Sequence, residues 1–367
     1  MIQARRDDID AKQVILTRLL AELQCEAVIL LMPAHVAWFT GGMNVRGLIA
    51  DGERPGIYTN GRQRWLLCSN TDTQRLFDEE LDGLGFMLKE WQWASGRATL
   101  LGELVVNKKV ATDRPFPTMP LVNEKLRLEL RPLLPSDVGR LRELGQVVAH
   151  ALEATARKLE RGDTEEDVAG ALAHRVVHRG AEAHAISVVA DGRGKQFRRA
   201  GYTSAPIETM CNLQVTANRD GLFATASRTV CFGSPTVEFR AEFDTACKVA
   251  AINRQGSHPG GTIAAAVETV GGFLRNTPFE HEWRLSPAGY GTGWFQADEL
   301  RKSGLDESFV AHQALVWQPR IGAASVVDTV LVGEALCEPM TPTDQWPFKR
   351  ITIAGAAHDI PDLLVLQ

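Results

Sequence analysis

The feature that most limits this chain's fold is an internal echo. A helix-spaced segment, then Arg161-Gly162-Asp163-Thr164, leads into a helix and strand-like stretches. About a hundred residues on, another helix-spaced segment, then Pro259-Gly260-Gly261-Thr262, leads into a helix and strands again. Glycine tolerates the left-handed backbone at a helix end, and a threonine or aspartate oxygen accepts from the orphan amides of the next first turn. Two such halves in tandem predict a pseudo-symmetric domain with a cleft between the halves.

The helical period predicts helices over 137–159, 163–178, 239–255 and 263–274, with Asp163 and Glu166 forming a capping-box-like start for the second. Strands are predicted at 186–190, 212–217, 222–232, 314–317, 326–332 and 351–354. Ahead of them, Ile9, Val14, Leu16, Leu19, Leu20 and Leu23 recur at helical spacing, and 25–32 reads as a buried strand. Strands at 56–59 and 64–68 and a helix over 71–84 complete an α/β pattern. Pro132 and Pro135 then interrupt it, which sets the expected domains at 1–135 and 136–367. A length of 367 residues suits two domains that each bury a core.

A net charge of −5 argues against nucleic-acid binding through bulk charge. The six cysteines are scattered with no C-x-x-C, so buried thiols in a reducing cytoplasm are expected, without a zinc site or a disulfide framework. Acids follow Met1 within a few residues and no apolar segment succeeds Arg5 and Arg6, so no signal peptide is read; the apolar run 27–32 is too short to span a bilayer.

Several segments then resemble one family in order along the chain. Ala34-His35-Val36-Ala37-Trp38-Phe39-Thr40-Gly41-Gly42 is similar to N-I-x-Y-L-T-G, and Gly162-Asp163-Thr164-Glu165 to G-x-T-E. Ser227-Arg228-Thr229 with Gly233 is similar to T-R-T-x-x-x-G, and Gly289-Tyr290-Gly291-Thr292-Gly293 to G-H-G-x-G. Gln318-Pro319 stands in place of E-P, and Asp328-Thr329-Val330-Leu331-Val332 resembles the end of E-D-T-V-L-V. Together they resemble the creatinase / Xaa-Pro aminopeptidase / prolidase (M24) family. The resemblance implies an α+β chain, a creatinase-like N-terminal α/β domain followed by a pseudo-symmetric pita-bread domain, as a homodimer. It also implies two divalent metals on two Asp, one His and two Glu, which would activate water for amide hydrolysis.

Carried over by position, those ligands fall on Thr216, Thr225, Tyr290, Gln318 and Val327. Hydroxyls and an amide lack the charge a hard dication needs, so no metal or other cofactor is expected. Asp220, in a turn before Gly221, and Asp328, matching the family's neighbouring Asp, are weak substitutes. The histidines of creatinase's metal-free route are replaced as well: arginine stands at the first position, Arg198 or Arg199, and Ala297 at the second. An arginine does not shuttle protons near neutral pH.

The resemblance therefore gives a cleft containing Arg198, Arg199, Thr216, Arg219, Thr225, Arg228, Tyr290, Gln318 and Arg320. The arginines read either as a pocket for a small anion or peptide end, or as partners of nearby acids. Arg228 reads as structural, since its counterpart is present with or without metals. His174 and His178, four apart on a helix, lack a third ligand, His258 reads as a surface residue in a helix-start turn, and His281 and His312 have no partner to name. Gly192-Arg193-Gly194 lacks the strand–turn–helix context of a phosphate loop. Trp38 and Phe39 either line a neighbouring subunit's cleft or pack in the core. Three functions follow, in order. The first is a metal-free relative without peptidase activity that binds a small anionic or peptide-like ligand, or a protein partner. The second is a metal-independent hydrolase of a C–N bond, with Tyr290 as acid and arginines stabilising an oxyanion. The third is an Xaa-Pro metallopeptidase.

Overall fold

The structure, a computed structural model, describes residues 2–43, 50–117, 119–297, 305–343 and 345–367. It divides into two units, Met1–Leu130 and Arg131–Gln367.

In the first unit, α1 (Ile2–Leu23) leads into β1 (Ala27–Leu30), α2 (Pro33–Thr40), β2 (Gly56–Thr59) and β3 (Arg64–Ser69). A short α3 (Thr73–Arg75) continues as a π-helical turn over Leu76–Leu81, then come β4 (Met87–Trp91), α4 (Arg97–Val105), β5 (Val110–Thr112) and α5 (Asn123–Glu129). The mixed sheet runs β4-β3-β2-β1-β5. The expected helix over 71–84 shrinks because Asp82 leaves helical geometry and Gly83 and Gly85 take φ of 71° and 75°. Buried Asp113 accepts from the Leu31 and Met32 amides and lies 2.8 Å from His35 Nδ1, which anchors the start of α2. Trp38 and Phe39 are 2% and 0% exposed, which resolves their two readings in favour of core packing.

The second unit opens with α6 (Pro135–Ala156) and α7 (Glu165–His178), followed by β6 (Glu182–Ala190), β7 (Met210–Arg219) and β8 (Leu222–Phe232). Next come α8 (Val237–Gln255), α9 (Ile263–Leu274), β9 (Gly289–Gly291), β10 (Ala314–Trp317), β11 (Arg320–Ile321), β12 (Ala324–Ser325), β13 (Asp328–Leu331) and β14 (Glu338–Pro339). The chain finishes with the hairpin β15 (Phe348–Ile353) and β16 (Ala356–Pro361), then β17 (Leu364–Leu366). Two four-stranded sheets, β17-β8-β7-β6 and β14-β13-β10-β9, carry the unit. Helix α6 covers the apolar face of β7 and β8, where Leu213, Val215, Ala217, Ala224 and Ala226 are fully buried.

The echo is physical. Thr164 caps α7 by accepting from the Asp167 amide at 3.1 Å, and Thr262 caps α9 by accepting from the Ala265 amide at 3.0 Å. The expected cap at Asp163 is one residue early. Asp163 accepts instead from the Glu160 amide, and the reciprocal box is Thr164 with Asp167.

Candidate functional site

Strands β7 and β8 form a hairpin closed by Asp220 and Gly221, both at positive φ (52° and 83°), the conformation a two-residue turn demands. Alternation puts Leu213 and Val215 toward α6, and Asn212, Gln214 and Thr216 on the opposite face. On that face the cross-strand pairs are polar: Asn212 with Thr229, Gln214 with Ser227, Thr216 with Thr225. Asn212 Nδ2 donates to Thr229 Oγ1 at 2.9 Å, and the Thr216 and Thr225 hydroxyls lie 2.9 Å apart.

Tyr290, on β9, brings its phenol to both threonines. Burial pushes its pKa above the ordinary value, with the hydrogen bonds from Thr225 and Thr216 pulling the other way. The second sheet closes on the hairpin here. The Thr225 amide donates to Thr329 Oγ1 and that hydroxyl donates to the Thr225 carbonyl, each at 2.8 Å; the Val327 amide donates to Ser227 Oγ, also at 2.8 Å. The result is a cluster of neutral hydroxyls, able to donate to or accept from a polar group but carrying no charge. Tyr290 in it is a protonated phenol.

The arginines expected beside this cluster do not converge as one set. Arg219 turns away and donates to the carbonyls of Arg179 and Gly180, tying down the end of α7. Arg228 is 2% exposed and reaches Glu153 Oε1 at 3.4 Å, Asp328 Oδ1 at 3.5 Å and the Thr341 carbonyl at 3.2 Å, a structural role. Arg199 is exposed. Arg198 and Arg320 do meet: Arg320 Nη1 donates to the Arg198 carbonyl, and Arg198 Nη2 lies 2.9 Å from Glu282 Oε2. Gln318 lines the same small cavity as Arg320 and donates to the Pro287 carbonyl at 3.2 Å.

The loop bearing Arg198 and Arg199 is held by Glu165, the Glu of the G-x-T-E segment. Fully buried, its carboxylate accepts from the Ala190 and Thr203 amides at 2.8 Å, from Thr203 Oγ1 at 2.7 Å and from Arg193 Nη2 at 2.7 Å. Arg193 of Gly192-Arg193-Gly194 is thus spent on that anchor.

The residues brought together at the hairpin do not fit a pair of dications, whose donors should be anionic oxygens and imidazole. Asp328 is fully engaged, accepting from Arg254 Nη2 at 2.7 Å and Thr341 Oγ1 at 2.8 Å besides facing Arg228. Asp220 sits in the turn. Among the described residues no group of three or more His, Cys, Asp and Glu is arranged to hold a metal. His174 and His178 stack on each other at 5.9 Å, and His281 is paired with Glu280 at the surface. Five cysteines are buried and Cys337 is half-buried; burial pushes the Cys68 and Cys231 thiols up to about 11 and Cys247 to about 12, so none is an activated nucleophile.

Residues 139–312 match the sequence profile of metallopeptidase family M24. The second unit is an M24 domain. No curated protein matches the chain by sequence. Among solved structures, dipeptidase PepE from Mycobacterium ulcerans superposes with a TM-score of 0.78 at 14% identity, covering 98% of each chain. The prolidase from Pyrococcus horikoshii OT3 gives 0.76 at 14% identity over 91% of this chain and 98% of its own. The N-terminal domain of FACT complex subunit SPT16 from chickpea (Cicer arietinum) gives 0.64 at 11% identity over 94% and 97%. At these identities the likeness is one of fold, and it extends from the M24 domain over the N-terminal unit, as the motif order implied.

Sequence reasoning missed Glu282, Ser286 and Asn253, which surround Arg320 and Gln318. They lie in stretches without a motif, so only the folded arrangement brings them to notice. Among the described residues no helix is long and apolar enough to cross a membrane.

Proposed function

We propose that this M24 domain works without dinuclear metal chemistry and binds a small anionic or peptide-like ligand rather than hydrolysing peptides. The observation that carries the reading is the mutual hydrogen bonding of Thr216, Thr225 and Tyr290, where the family resemblance calls for two carboxylates and an imidazole. Neutral hydroxyls bonded to each other offer a dication no charge to offset its lost hydration. Asp328, the nearest carboxylate in sequence to a ligand position, is neutralised by two guanidiniums. The M24 fold also occurs outside proteins named for peptide hydrolysis, as in the chickpea FACT complex subunit, which supports a binding role. A cytoplasmic homodimer is the setting that goes with this reading.

A metal-independent hydrolase is the second reading, with the half-buried Tyr290 phenol, which keeps its proton, as the donor placed beside Thr216 and Thr225. Elemental analysis of protein purified without chelator, beside thermal shifts with manganese, cobalt and zinc, tests the metal question. Substoichiometric metal and an unmoved Tm are expected. Near two equivalents of a divalent metal with marked stabilisation would overturn the reading and restore the Xaa-Pro metallopeptidase.

A further inference from the structure

A groove of about 480 Å³ opens within the first unit, between α1, the β2–β3 turn and the segment that enters β4. Three arginines line it: Arg6 from α1, Arg62 from the turn and Arg64 from the start of β3. The one carboxylate among the lining residues, Asp10, is already engaged, its Oδ1 accepting from Arg64 Nη1 at 2.6 Å. Three guanidiniums against one carboxylate leave two positive charges without a counter-charge.

Arg64 is the fixed member. Its side chain is 9% exposed, its Nη2 donates to the Leu84 carbonyl at 2.6 Å, and its Cζ lies 5.1 Å from the centre of the Phe86 ring. A guanidinium clamped by a carboxylate, a carbonyl and a ring face is oriented before any ligand arrives. Arg6 and Arg62 are the opposite, exposed and unclaimed. Every other described arginine of the first unit gives its side chain to a carboxylate or a backbone carbonyl. Among the described residues, the two that do not both stand on this groove. Gly85 lets the charges gather. Its φ is 75°, and a Cβ there would lie 3.1 Å from Arg64 Nη2 and 3.8 Å from Arg6 Nη2, so both nitrogens border the space a side chain would fill.

We infer that this groove binds a phosphate group, with Arg64 as a preset floor and Arg6 and Arg62 donating from the rim. Like charges lining one concave surface concentrate an anion there. A phosphate monoester carries close to two negative charges near neutral pH and three acceptor oxygens, which match the excess charge and the supply of N–H donors. A carboxylate, with one charge, leaves half of that excess unmet. Inorganic phosphate and a phosphate ester share this chemistry, and the groove's volume, with Met87 on its wall, leaves room for the organic part of an ester. The site lies wholly in the first unit and does not rest on the reading of the M24 domain.

The test is calorimetric titration of the full chain with glycerol 3-phosphate near neutral pH and at constant ionic strength, beside inorganic phosphate and acetate. Saturable binding of glycerol 3-phosphate, at least about tenfold tighter than acetate, is expected. Lowering the pH through about 6 turns the ester into a monoanion while the arginines keep their charge, so affinity should fall. Arg6→Gln and Arg62→Gln remove side chains that hold no other contact. Each should weaken binding severalfold with Tm unchanged, and the double variant should abolish it. Arg18→Gln removes the same charge from elsewhere on α1 and should leave binding intact. Glycerol 3-phosphate binding tighter than inorganic phosphate assigns an ester, and the reverse order assigns the free anion. Absence of saturable binding, equal binding by acetate, an unaffected double variant, or an equal loss in Arg18→Gln overturns the inference.

Discussion

Tyr290 is the member of the hairpin cluster whose titration its surroundings alter. A phenol raised by burial keeps its proton beyond pH 10, so the neutral form is the one the fold stabilises. That contribution is fully present below the unfolded value of about 10 and is lost as pH rises through the folded value. Ultraviolet absorbance titration should therefore show a phenol ionising late in wild type and missing in Tyr290→Phe. Thr225→Val, which removes a donor that favours the phenolate, should move it later still; an unchanged titration would disconnect the threonines from Tyr290. That Thr216, Thr225 and Tyr290 lie together was readable along the chain, because in-order motifs fixed which positions to inspect. The partners of the arginines were not. Arg219 is satisfied by backbone carbonyls at the end of α7, and no residue letter records those acceptors.

At the scale of elements, close approach overrides propensity at Gly145. It lies in the interior of α6, where alanine is ordinarily preferred by about 1 kcal/mol. A Cβ there would come within 1.6 Å of the Met340 carbonyl oxygen. Gly145→Ala should therefore destabilise by about 1–3 kcal/mol in urea denaturation, as overpacking does, and a gain in stability would refute the close fit. Gly322 is confined in a similar way, with φ of 55° and the Glu242 carboxylate 2.2 Å from its missing Cβ, so the β11–β12 turn accepts nothing larger. Elements with strong periodicity were legible to the residue: 222–232, 263–274 and 314–317 appear as β8, α9 and β10. Those built on weak patterns were not. Strand β4, Met-Leu-Lys-Glu-Trp, exposes most of its side chains and carries little apolar alternation, and β11 and β12 are two residues each.

At the scale of the molecule, one buried ionic network ties distant stretches of the M24 domain together. Arg228 of β8 reaches Glu153 of α6 and Asp328 of β13, and Asp328 in turn takes Arg254 of α8 and Thr341. Replacing Arg228 with methionine keeps the volume but leaves two carboxylates short of a partner, so unfolding should become easier by about 3–5 kcal/mol. Chemical denaturation measures this, and a loss below about 1 kcal/mol would make the network incidental. The two-half plan was visible in the echoed helix caps because capping is a local event, whereas the network joins residues far apart in sequence and had no local signature. The same separation bears on how the domain is made. Strand β17 pairs in parallel with β8, Leu364 beside Val230, as the outer strand of its sheet. On the ribosome β8 emerges long before β17, and its outer edge stays bare, an open template for stray chains, until β17 arrives. This sheet is therefore completed only when the distant strand β17 docks, a later and more aggregation-exposed step than in a sheet zipped up from sequence neighbours.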